Sequence, residues 1–449
     1  MYVGGGLQSA SNRKTSVSTG YGFDDNDTLK MAVDMWCSPN NRVKAENLYG
    51  HISTWNTSAV TNMISLFKGK HDFNDDISSW NVGRVTGMAE MFYNANTFNQ
   101  PIGQWDVSSV TDMNHMFSFC MSFNQPIDQW DVHNVTDMNN MFFFAESFNQ
   151  NISQWDVRSV TSMLRMFTNA FMFNQPIGSW SVSNVVSMQS TFRNCSLFNQ
   201  PLDQWDTSNV TDMSNMFSGA RAFNQPIGQW NVNNVVDMAY MFTYTTAFNQ
   251  PIEQWDVRKV TDMTSMFMCA GAFNQPLDHW ELLHLIRMEF MFNEASSFNQ
   301  PLGRWNTSGV KDMAGLFHRA RLFNQPIGQW DVRGVIDMRS MFRDAVAFNQ
   351  PIGHWDVSCV ESMQNMFEGA TSFNQPIGHW DTSSVIDTKD IFRNATSFNQ
   401  PIDQWNVWGI TSEIDEEVDE GDMEIMLNMG AGESAYWCYS YGLPMTKLV

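Results

Sequence analysis

Two files of aspartate recur at a fixed interval of 25 residues. Asp106, Asp131, Asp156, Asp206, Asp256, Asp331, Asp356 and Asp381 each follow a tryptophan, and Asp112, Asp137, Asp212, Asp237, Asp262, Asp312, Asp337 and Asp387 lie six residues beyond such a site. Carboxylates in register on neighbouring turns, ~4.8 Å apart, could hold calcium between them. The first file is expected to face outward from a short strand, either as a hydrated acidic row or as a calcium row. The second is expected in the first turn of a helix, where a carboxylate steadies the N-terminus by ~0.3–1 kcal/mol. His354 and His379 share one outward address in adjacent turns and could stand ~5 Å apart, but no third ligand accompanies them, so they read as a solvated pair.

No nucleophilic triad, phosphate loop or His-Glu-x-x-His pattern is present, so neither catalysis nor a cofactor is expected. The six cysteines show no metal spacing. Cys120 and Cys195 share one address three turns apart, beyond disulfide reach, and read as core residues in place of Ala. The charged feature that breaks the pattern is cationic. Arg304, Lys311, His318, Arg319, Arg321, Arg333, Arg339 and Arg343 fall within two consecutive turns of a chain whose formal net charge is -22. They form a candidate partner surface that would steer an acidic protein, or else a chance cluster on a solvated face.

What positions all of these groups is the repeat. One unit reads Phe98-Asn-Gln-Pro-Ile102-Gly-Gln-Trp105-Asp-Val107-Ser-Ser-Val110-Thr-Asp-Met113-Asn-His-Met116-Phe117-Ser-Phe-Cys120-Met-Ser122, and Phe123 begins the next. Trp recurs from Trp55 to Trp405 at every twenty-fifth residue, which gives fifteen of eighteen tryptophans a single structural address. A strict period of this length specifies a solenoid, in which each turn is stabilised only by its neighbours. Asn occupies one address in all fourteen turns from Asn74 to Asn399, between two apolar ones. A stacked amide column there can satisfy backbone groups that burial would otherwise leave unpaired, with a ligand-contacting row as the alternative.

Within the unit, Val110, Met113, Met116, Phe117 and Cys120 follow spacings of three, three, one and three, which predicts a helix over residues 110–119. Ser109, three residues before Asp112, suits a capping box, and Asn134, Asn184, Asn209 and Asn234 would cap equally well. Trp105 and Val107 alternate around Asp106, which places a short strand at residues 104–107. The turn at residues 273–297 departs from the pattern, because Arg287 replaces the capping Asp and the helical spacing starts early.

Four segments are expected: a disordered Gly/Ser-rich stretch 1–23, a helical cap 24–47, a solenoid 48–412 of about fourteen full turns and a partial one, and an acidic tail with a possible C-terminal cap 413–449. Asp27 or Thr28 would cap the first helix of the cap, and residues 42–48 would form the second. The strong negative charge argues against a nucleic-acid or anionic-membrane partner. Residues 1–6 carry neither the charged nor the apolar part of a secretory signal, and no run of ~18 apolar residues predicts a membrane span.

The unit Phe-Asn-Gln-Pro-[Ile/Leu]-x-x-Trp-[Asp/Asn]-[Val/Thr]-x-x-Val-x-x-Met-x-x-Met-Phe-x-x-Ala resembles the BspA-like leucine-rich repeat, and more closely the 25-residue subtype of mycoplasma surface lipoproteins and algal repeat proteins. The likeness covers residues 23–412. It implies an α/β repeat solenoid with one short strand and one short helix per turn, cell-surface or secreted placement, and binding or adhesion without catalytic residues. The expected function is therefore a non-enzymatic scaffold for a protein or a repetitive polymer. The alternative is a calcium- or glycan-binding solenoid that uses the regular Gln/Asp/Ser strand face.

Overall fold

A computed structural model describes residues 20–405. The expectations for residues 1–19 and for the acidic C-terminal segment lie outside the described residues. Disorder does not extend to residue 23: Phe23 is buried, its N–H donates to the Asn56 carbonyl at 3.1 Å, and the Asn56 N–H donates to Tyr21 at 2.9 Å. Gly20 packs so closely on the Thr54 carbonyl that a Cβ would sit 1.6 Å from its oxygen.

Helix α1 spans Asn26–Trp36 and helix α2 spans Arg42–Tyr49. The cap of α1 is Asp25, not Asp27 or Thr28: its carboxylate accepts the Thr28 N–H at 2.7 Å. Leu29, Ala32, Val33 and Trp36 form the buried face. Asp75 pins this pair of helices to the repeats. It stands where later turns carry Gln, and it accepts from the Trp36 indole at 2.9 Å and from both terminal nitrogens of Arg42 at 2.6 and 3.1 Å.

The helix expected in each turn is absent. Among the described residues, helices are confined to α1, α2 and a single 3-10 turn at Ile52–Thr54. Residues 113–123 form overlapping tight turns instead, and their N–H groups alternate in direction. Met116, Ser118 and Cys120 donate to carbonyls three residues back in the same turn at 3.0–3.1 Å. Met113, His115, Phe117 and Phe119 donate to Asp137, Asn139, Met141 and Phe143 of the next turn at 2.7–3.0 Å. Pointing N–H groups sideways between turns requires left-handed backbone at two residues four apart in each turn, as at His115 (φ 54°) and Phe119 (φ 59°). The residue there costs ~1 kcal/mol in intrinsic preference, which the surrounding hydrogen bonds must outweigh.

The expected strand at residues 104–107 is absent as well. The inter-turn pairing is a single parallel bridge per turn, located at Asp112 with Asp137 and at the equivalent residue of every turn from Asn62 to Asp387. The irregular turn at residues 273–297 keeps this register, with Arg287 bridging Asp262 and Asp312 and no helix of its own.

The core consists of columns of like residues. Phe117 stacks on Phe123, which opens the next unit, at 4.1 Å and on Phe142, its own equivalent there, at 5.7 Å, and Trp130 lies over Trp155 at 6.4 Å with planes 4° apart. Most indoles of the column also tie their turn to the one before: Trp130 Nε1 donates to the Ile102 carbonyl at 3.1 Å. Cys120 and Cys195 are buried and free, each thiol donating to the Phe92 or Phe167 carbonyl at 2.9 Å, as the Thr245 hydroxyl does to Phe217. The Asn column acts as a ladder. Asn124 Oδ1 accepts the backbone N–H of Asn149 at 3.0 Å and the side-chain amide of Gln150 at 2.9 Å, and Asn149 repeats this one turn on.

Candidate binding surface

The aspartates beside tryptophan serve their own turns. Asp106 accepts the Ser108 N–H at 3.1 Å and its hydroxyl at 2.6 Å, and Asp131, Asp156, Asp206, Asp256, Asp331, Asp356 and Asp381 close the same two-residue loop. The serine hydroxyl and then its N–H hold the Asp106 carboxyl below the ordinary carboxylate range. At Asp156 and Asp256 the Arg two residues on does this first. His379 is likewise engaged, its Nε2 lying 2.8 Å from the Gly353 carbonyl.

Without a helix, the second file caps nothing. Asp112 accepts the Asn114 N–H at 2.9 Å and so turns the chain into the bridge. The expected capping residues bond backwards: Ser109 Oγ donates to Gly83 at 3.0 Å and Asn134 Nδ2 to Ser108 at 2.8 Å. This file is more enclosed than the first. Burial pushes Asp237 up to about 6 against the opposing Ala239 N–H, with Asp262 and Asp212 adding repulsion, and burial raises Asp312 to about 6 as well. Among the described residues, no three His, Cys, Asp or Glu side chains are placed to hold a metal ion.

Asp237 therefore makes stability depend on pH. A carboxyl whose folded pKa lies near 6, against an ordinary 3.8, favours the fold below pH ~4 and loses that contribution as pH rises through ~6. A two-unit shift corresponds to ~2.7 kcal/mol, which partial exposure reduces to ~1 kcal/mol. Asp237→Asn keeps an oxygen for the Ala239 N–H. It should be ~1 kcal/mol more stable than wild type to urea at pH 7.5 and equal to it near pH 4; an equal effect at both values would remove titration as the cause.

Most of the eight cationic candidates have a carboxylate partner. Arg304 lies 3.4 Å from Asp278, Arg333 reaches Asp331 through two nitrogens at 2.7 and 2.9 Å, and Arg339 lies 3.3 Å from Asp337. Arg319 sits between Glu294 at 2.8 Å and Asp344 at 3.6 Å, on the preceding and following turns. Arg343 lies 2.9 Å from Glu368, which also faces Arg393 at 3.9 Å. His318 is buried. Lys311 and Arg321 are exposed and have no ion pair among the described residues. Arg319 and Arg343 thus belong to ion-pair ladders along the repeats, whereas Arg339 pairs within its own turn.

One exposed column was not singled out from the sequence. The residue before each bridge runs Thr61, Thr86, Thr111, Thr136, Thr161, Val186, Thr211, Val236, Thr261, Ile286, Lys311, Ile336, Glu361, Ile386. From Thr86 onward each N–H donates to the carbonyl of its predecessor one turn back, at 2.8–3.4 Å. Val186, Val236, Ile286, Ile336 and Ile386 are all exposed, the last by 80%. The signal was available as an apolar residue recurring every second turn.

The sequence model of the family described as "Mycoplasma protein of unknown function, DUF285" matches residues 41–121, 100–203, 186–300, 252–350 and 323–416, so the chain belongs to that family and is a tandem-repeat protein. No curated protein matches it. Among solved structures, a chain from "Crystal structure of TLR13-ssRNA13 complex" is similar at 11% identity and a TM-score of 0.24, over 77% of this chain and 48% of that one. This chain thus spans about half the length of that one, and a likeness this weak carries neither fold nor ligand across. No helix among the described residues is long and apolar enough to cross a membrane.

Proposed function

We propose that the chain is a non-enzymatic binding scaffold that engages another protein. The observation that carries this reading is how its polar groups are used. The Asn ladder, the indole N–H groups and both Asp files are bonded to backbone, while outward addresses such as those of Leu164, Arg165, Tyr240 and Arg319 change from turn to turn. Catalysis needs several unlike groups converging on one point, whereas stacked files of like groups favour extended contact.

The partner surface proposed is the stretch 304–343, where seven Arg and Lys stand against three Asp in a chain of net charge -22. Its most exposed charges, Arg304, Arg321 and Arg333, would attract an acidic protein segment and would do so less in high salt. Kinship with BspA-like leucine-rich repeats and placement at the cell surface belong to the same proposal. The parallel bridge in every turn supports the first, and membership of a Mycoplasma family supports the second.

The test is capture of partners on the immobilised full chain, followed by titration of each purified partner against wild type and a triple variant with Arg304, Arg321 and Arg333 changed to Glu. Saturable binding that weakens about tenfold in the folded variant is expected. Unchanged affinity would move the site elsewhere. Failure of any captured protein to saturate, combined with turnover on a peptide or glycan panel, would overturn the scaffold reading.

A further inference from the structure

The exposed column before the bridges has an order of side-chain types that ordinary surface composition does not require. Over its last five described addresses it reads Ile286, Lys311, Ile336, Glu361, Ile386: apolar, cationic, apolar, anionic, apolar. Consecutive backbone bonds fix the register of all five, from Lys311 N to Ile286 O at 3.1 Å through Ile386 N to Glu361 O at 2.8 Å. All five side chains are exposed, and neither Lys311 nor Glu361 has an ion pair among the described residues. Within one chain the two do not pair: two turns, ~9.6 Å, separate them with Ile336 between.

We propose that a second copy of this chain docks on this column, with the two columns antiparallel about a twofold axis through Ile336. Reversing the order of addresses places Ile286 opposite Ile386, Ile336 opposite its own copy, and Lys311 opposite Glu361 twice over. At the adjoining address Arg287 then faces Asp387, Asp312 faces Ser362, and Asp337 faces its own copy, each of these two carboxylates being offset by the Arg339 guanidinium of its own chain at 3.3 Å. A parallel arrangement would set Lys311 against Lys311 and Glu361 against Glu361, which electrostatics disfavours.

The alternatives fit less well. An acidic partner would meet Glu361, a basic one Lys311, and a purely apolar one would bury both charges unpaired. Five addresses at ~4.8 Å span only ~19 Å, short of the ~800 Å² per partner of a standard stable interface, so the dimer is expected to dissociate in the micromolar range. Self-association through this column shares Lys311 and Ile336 with the proposed partner stretch but is tested separately, since the triple variant of that test leaves Lys311 and Glu361 untouched.

The test is sedimentation velocity of the full chain from about 1 to about 200 μM, a range chosen to bracket a micromolar equilibrium. Wild type should pass from monomer to dimer. Lys311→Glu and Glu361→Lys, each at an exposed position, should weaken the dimer about tenfold or more while leaving circular dichroism unchanged. The double exchange of both residues should restore wild-type association, because each pair re-forms with opposite polarity. A protein that stays monomeric throughout, a dimer indifferent to either single reversal, or a double exchange that fails to restore it would each overturn the proposal.

Discussion

Trp230→Ala is expected to remove about 3–5 kcal/mol from the stability of its region. The indole is buried, stacks on Trp205 at 6.4 Å and lies 6.1 Å from the Phe217 ring. Truncation leaves a cavity that the columns on either side cannot close, because inter-turn hydrogen bonds hold the backbone spacing. It also strips the Leu202 carbonyl of its donor, now at 3.0 Å. Trp230→Phe should lose less, since the ring contact survives and mainly the N–H is forfeited, at about 1–2 kcal/mol. In a linear array the damage concentrates near the altered turn, so native-state hydrogen exchange of residues 202–255 should report it more sharply than a global melt. If exchange and urea unfolding of Trp230→Ala match wild type, tryptophan is not the core of this array.

The tryptophan and asparagine columns were legible in the sequence because each recurs at one address without exception and meets its partners on an adjacent turn of the same pattern. The helix was misread because its evidence was incomplete. Spacings of three, three, one and three from Val110 to Cys120 suit a helix, but they equally suit a chain of three-residue turns whose inward residues meet the core. The deciding signal lay at the polar positions between them. At the addresses of His115 and Phe119 other turns place Gly69, Asn94, Asn140, Asn169, Asn215, Gly219, Gly315 and Gly369, all with positive φ. Glycine and asparagine tolerate the left-handed region and weaken a helix interior, so their recurrence four residues apart argues for tight turns.

The ion pairs of the charged candidates were not legible, for a different reason. Sequence places Arg319 and Arg343 near other cations, but the nearest charges in a solenoid lie 25 residues away along the chain, as Glu294 and Glu368 do. Glu368 shows what such ladders contribute. Its carboxyl is pushed up by burial even though Arg343 and Arg393 oppose the shift, so at this site desolvation outweighs attraction. The exposed column escaped notice because its informative period is 50 residues, which disappears when units of 25 are averaged.

Asn224→Ala is the substitution that best separates a structural amide column from a ligand-binding one. Asn224 Oδ1 accepts the backbone N–H of Asn249 and the side-chain amide of Gln250, both at 3.0 Å, while the N–H of Asn224 itself donates to Asn199 at 3.0 Å. Alanine keeps that last bond and removes the other two, leaving the Asn249 N–H without its acceptor in a half-buried turn. The expected loss is about 2–4 kcal/mol, combining the bonds forgone with the desolvation of a stranded donor. Asn224→Asp retains both acceptor functions and should lose less, despite placing a charge in a half-buried site. Because the ladder runs in one direction, Asn249 should show the largest rise in amide exchange and Asn199 a smaller one. A ligand-contacting row predicts the reverse: Asn224→Ala would keep wild-type urea stability and exchange at Asn249 while losing affinity for whatever the row binds. The three hydrogen bonds through this one residue favour the first result.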